Sequence, residues 1–129
     1  MKLSTFAVII TVLAAAFGLA FILIPARVGA FYGIDLNMGG LWMLRYFGAA
    51  LLFIAMIYWS YSGVSPAAKS WPKLLMFSII YEVIQLSLTM VAVLRGVGNS
   101  MGWTSVALYA LLAIGSLYFL GVCKKAAAK

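Results

Sequence analysis

The chain contains no histidine, one cysteine and only two acidic residues, Asp35 and Glu82, among its 129 residues. Without histidine there is no imidazole to ligate haem or chlorophyll, or to act as a general base. Cys123 alone closes neither an intrachain disulfide nor a thiolate metal cage. The two carboxylates lie far apart, one in a connection and one in an apolar run, so they do not form a general acid and base pair. These absences argue against an enzyme acting alone, against a metal and against any cofactor. Charge of either sign is scarce as well: 9% of residues are charged and 67% are hydrophobic, where soluble domains carry roughly 25% charged residues. Such a chain lacks the polar surface that water demands and reads as an integral membrane protein.

What the sequence has in quantity is long apolar runs. An α-helix needs about 20 residues to cross a hydrocarbon core, and four stretches meet that length, at 5–24, 41–61, 74–94 and 102–122. Between them lie "PARVGAFYGIDLNMGG", "SGVSPAAKSWPK" and "RGVGNSMG", rich in the residues that punctuate structure and too short to hold a second domain. The expected fold is all-α, an integral membrane antiparallel four-helix bundle forming a single domain over 1–129. The first run has a competing reading as a secretory signal, because Lys2 precedes it and "AAAFGLA" offers small residues. Its unbroken length favours a retained helix over a signal core of about 7 to 15 residues.

Orientation follows from the lysines and arginines, since short cytoplasmic segments carry the excess of positive charge. Lys2, Lys69, Lys73, Lys124, Lys125 and Lys129 stand at the two ends and in the second connection, whereas the first and third connections hold only Arg27 and Arg95. Both termini are therefore expected in the cytoplasm. Tyr32, Trp42, Tyr46 and Trp103 would mark the outer interface, and Trp59, Tyr61, Trp71 and Tyr118 the inner one. The net charge of +7 reads as helix-flanking lysines that meet membrane lipid, with no nucleic acid implied.

Two charges stand inside apolar runs. Arg45, in "LWMLRYFGAALLFIAMIYWSY", lies about 6 Å below the outer boundary at the helical rise, and its methylene stem can reach back to headgroups. Glu82, in "MFSIIYEVIQLSLTM", lies about 13 Å from the inner face, too deep for its short stem. Ionised and facing lipid it would be costly, so it is protonated, paired or turned inward.

Ser78, Glu82, Gln85, Thr89 and Ala92 recur at steps of four and three, making one small or polar stripe. Ala7, Thr11, Ala14 and Gly18 form a matching seam of the kind that lets helix backbones approach closely. Arg45 and Glu82 differ by about 12 Å along the membrane normal, a gap that Gln85 or water would have to bridge. The cluster is either a polar contact fixing helix register or a ligand or proton site. Cys123 reads as a small apolar helix-end residue or as a palmitoylation site, and "FYGIDLN" as an ordinary turn or a short interfacial lid.

The first half of the chain, with "FGLAFILIP", then "FYGID", then "LRYFGAALLFIAM" in which Arg45 and Gly48 open the second helix, resembles the DoxX-like group of small four-helix membrane proteins. The resemblance implies a bundle in a prokaryotic cell membrane and, for some relatives, an accessory role in membrane oxidoreductases acting on quinones. Glu82 lies outside the part of the chain that carries it. Three functions remain as expectations. An accessory or structural subunit would pack its small-residue positions, Gly18 and Gly48 among them, against larger membrane chains or a second copy. A proton-coupled small-molecule transporter would work through Glu82, and a lipid- or quinone-headgroup binder would use the fork of Arg45.

Overall fold

The computed structural model describes residues 2–127; Lys129, one of the lysines expected in the cytoplasm, lies outside them. The chain forms α1 (Leu3–Leu23), α2 (Pro25–Phe31), α3 (Met38–Tyr61), α4 (Ser70–Leu94) and α5 (Gly102–Ala127), with no strand among the described residues. As the apolar runs predict, α1, α3, α4 and α5 are each long and apolar enough to cross a membrane. The contacts divide the chain between Val64 and Ser65 into two compact units.

In the first unit, α1 and α3 pack together. The seam read from the sequence is the contact face: Ala7, Ala14 and Gly18 are buried, against Gly48, Leu51, Ala55 and Tyr58 of α3. The helices run antiparallel, because Thr11 Oγ1 lies 3.5 Å from the Ala55 carbonyl oxygen while Arg45 Nε lies 3.3 Å from that of Ile22. At their crossing a Cβ on Gly18 would stand 2.9 Å from the Gly48 carbonyl oxygen. Only glycine permits backbones this close.

The first connection contains a helix where the sequence suggests only a loop. Pro25 accounts for both ends of this departure: its missing N–H cannot continue α1, yet its fixed φ suits the first position of α2. Gly33, at φ +68°, ends α2 with Ile34 N–H donating to Gly29 O at 2.9 Å and Gly33 N–H to Ala30 O at 3.0 Å, the paired bonds of a Schellman cap. "FYGIDLN" is thus the last residue of α2 followed by this turn. Leu36 then folds back onto Gly29, where a Cβ would meet its Cδ1 at 2.8 Å.

Four helix bounds also lie outside the expected ones, α1 beginning two residues early at Leu3. α3 starts at Met38 because the Asn37 side chain accepts from Gly40 N–H at 2.8 Å, an N-cap ahead of the apolar run. α4 starts at Ser70, since Pro72 falls in the first turn, where a missing N–H costs nothing. α5 continues past 122 through alanine and lysine, which favour helix, with Lys124 and Lys125 at the negative end of its dipole.

In the second unit, α4 packs against α5, again antiparallel: Glu82 meets Ser116, and a Cβ on Gly102 would stand 2.5 Å from Val93 Cγ2.

Candidate functional site

Glu82 occupies the centre of α4, twelve positions from Ser70 and twelve from Leu94. Its residue is 4% exposed. Ser116 of α5, itself fully buried, donates its hydroxyl to Glu82 Oε1 at 3.1 Å. Oε2 is buried with no hydrogen-bond partner. A buried oxygen in that condition costs about 1–3 kcal/mol, and native structures contain few of them.

The stripe predicted on this helix is its less exposed face. Ser78, Gln85, Thr89 and Ala92 are half-buried, whereas Phe77, Ile80, Val83, Ile84, Leu88 and Val91 are exposed. Ser78 Oγ donates back to the Leu74 carbonyl oxygen at 3.0 Å, the usual way for a serine to satisfy itself within a helix. One turn beyond Glu82, Gln85 Nε2 donates to Tyr81 Oη at 3.1 Å. Tyr81 also hydrogen-bonds Tyr109 of α5. Two polar stations therefore lie at successive levels of the α4–α5 contact, Glu82 with Ser116 and then Gln85 with the two tyrosines.

Sequence reasoning misses Ser116 and Tyr109. A signal is available: Tyr109, Ser116 and Cys123 recur every seven residues of α5, placing two hydroxyls and a thiol on one helical face. Cys123 is fully buried and serves as a small core residue.

Arg45 belongs to the other unit and has partners there. Its Nε donates to the Ile22 carbonyl oxygen, and its guanidinium lies over the Trp42 ring, 4.8 Å from the centroid. That carbonyl is in the last turn of α1, just before Pro25 ends the helix. The cation therefore sits at the negative end of the α1 dipole and closes a helix terminus. Gln85 lies in the second unit, where its Nε2 donates to Tyr81 Oη. The remaining predicted positions, Ala7, Thr11, Ala14, Gly18 and Gly48, form the α1–α3 contact, with Thr11 Oγ1 donating to Ala7 O at 2.9 Å.

No group of three or more His, Cys, Asp or Glu side chains capable of holding a metal ion occurs among the described residues. No family model matches the chain, and comparison with curated proteins and with solved structures finds no match. The chemistry of the site is that of one buried carboxylate, at the centre of a helix long and apolar enough to cross a membrane, with an oxygen to spare. Such a group can hold a proton, accept a hydrogen bond from a solute or meet a cation.

Proposed function

We propose that the protein is a small multi-pass membrane carrier, its two hairpins assembled as an antiparallel four-helix bundle with cytoplasmic termini, in which Glu82 exchanges a proton for a small solute. The observation that supports this reading is the partnerless Oε2 of Glu82 at the centre of a membrane-length helix. A contact meant only to fix helix register would use both oxygens, because a half-satisfied buried carboxylate weakens the packing it is supposed to define. Ser116 acts as a positioning residue, holding Oε1 and leaving Oε2 as the oxygen free to take a proton or a partner.

The accessory-subunit reading leaned on small-residue positions free to meet a larger chain. Ala7, Ala14, Gly18 and Gly48 are taken up within the first hairpin, so an accessory subunit would have to meet its partner through other surface. The headgroup-binder reading leans on Arg45, whose Nε donates to the Ile22 carbonyl oxygen, so only its Nη groups would be left to hold a headgroup.

The test is a proton-movement assay in proteoliposomes loaded with a pH-sensitive dye and challenged with a panel of small amines, sugars and organic acids. Wild-type protein is expected to move protons in response to at least one class, and Glu82→Gln to lose that response while purifying as the wild type does. No solute-dependent proton movement, together with stoichiometric larger subunits in a native purification, would replace the carrier with an accessory subunit.

A further inference from the structure

The surroundings of Glu82 are unequal along the α4–α5 hairpin. Toward the start of α4, Trp71 and Leu75 are fully buried, and the antiparallel register sets Leu75 level with Cys123 of α5, which is 0% exposed, with Phe119, 2% exposed, one turn nearer Ser116. Between Ser70 and Ser78 the charged side chain of α4 is Lys73, which is exposed. Beyond Glu82 the character changes. No residue of α4 after Glu82 is buried; the face carries Gln85 and Thr89, with Tyr81 and Tyr109 alongside, all half-buried. Polar groups follow one another at about one helical turn, or about 5.4 Å, within the span of a side chain or a single water.

We infer that Glu82 is served from one side only, by a polar route formed by Tyr81, Gln85, Tyr109 and Thr89 that leads to the end of the hairpin where α4 joins α5, while Trp71, Leu75, Phe119 and Cys123 seal the opposite end. The inference rests on the carrier reading of Glu82 and adds the direction from which that site is reached. Tyrosine and glutamine suit such a route because each both donates and accepts, so a proton or a polar solute meets a partner at each step. On the other side the one such group on the stripe is Ser78, whose hydroxyl donates back to the Leu74 carbonyl oxygen, and beyond it Leu75 and Trp71 are fully buried. In this conformation the site faces the connection at 95–101, which the lysine distribution assigns to the outer side.

Carbodiimide modification tests both layers. Dicyclohexylcarbodiimide dissolves in lipid and reaches a protonated carboxyl at membrane depth without a polar route; a quaternary-ammonium carbodiimide does not cross membranes and needs one. Vesicles of each orientation would be treated with either reagent and adduct at Glu82 read by peptide mass spectrometry. Asn99→Cys, read against the wild type, whose Cys123 is fully buried, reports which vesicles present the α4–α5 connection to the medium. The lipid-soluble reagent is expected to modify Glu82 in both orientations, and the impermeant one only where Asn99→Cys is exposed. Gln85→Leu and Tyr109→Phe are each expected to slow the impermeant reaction about five- to tenfold, the worth of one hydrogen bond, and to leave the lipid-soluble reaction unchanged. Impermeant labelling from both sides, or from the opposite side, overturns the one-sided route while the carrier reading stands. Absence of any labelling by the lipid-soluble reagent overturns the carrier reading and the route with it.

Discussion

At the scale of single residues, Glu82 and Ser116 form a pair whose energetics separate a functional site from a structural one. Ser116→Ala removes the donor that reaches the carboxylate and should lower stability by about 1–3 kcal/mol, the cost of one more unsatisfied buried polar atom. Replacing both members by apolar residues, Glu82→Leu with Ser116→Ala, should restore wild-type stability or exceed it, because well-packed hydrophobic groups commonly outperform buried charge. Thermal unfolding in mild detergent reads both. A double variant less stable than Ser116→Ala alone would mean that the pair serves to hold the helices together. Glu82 is legible in the sequence because an acid in an apolar run has few explanations. Arg45 is legible only as a shallow charge: its partner is a backbone carbonyl exposed by the α1 terminus, and no residue type announces that.

At the scale of elements, the helix crossing at Gly18 and Gly48 and the open position at Gly121 make opposite predictions for the same substitution. Gly18→Ala places a methyl 2.9 Å from the Gly48 carbonyl oxygen and must force α1 and α3 apart, with an expected loss of about 1–3 kcal/mol, as for overpacking generally. Gly121→Ala meets nothing within 4 Å in α5 and should gain up to about 1 kcal/mol from helix propensity. Paired melting curves check both signs. The seam on α1 is legible because small residues at heptad spacing have one common use. α2 is not, since Pro25 is equally good evidence for the end of one helix and the start of the next, and seven residues show no period. Ser116 escapes notice for a related reason: a lone hydroxyl in "AIGSLYF" looks like tolerated polarity until the facing helix is known.

For the whole molecule, the four long helices and the lysine distribution yield a topology that labelling can check. In a Cys123→Ala background, Lys69→Cys should react with an impermeant maleimide only after cells are permeabilised, and Asn99→Cys should react in intact cells. Reaction of both in intact cells would rule out the arrangement with two cytoplasmic termini. The four spanning runs are legible because membrane thickness imposes a length that composition makes visible. The division into two units is not, because nothing in apolar text distinguishes helices that pair within a hairpin from helices that pair across the chain.

The break between Val64 and Ser65 also bears on how the chain is made. Synthesis completes the first hairpin before α4 emerges, so α1 and α3 can settle against each other with no contribution from the second. α4 arrives later carrying a carboxylate that lipid does not tolerate, and the hydroxyl that receives it is on α5, still to be translated. If the chain is inserted as its four apolar helices suggest, the second hairpin is best released as a finished pair, with the short stretch from Arg95 to Met101 setting how soon Ser116 can meet Glu82.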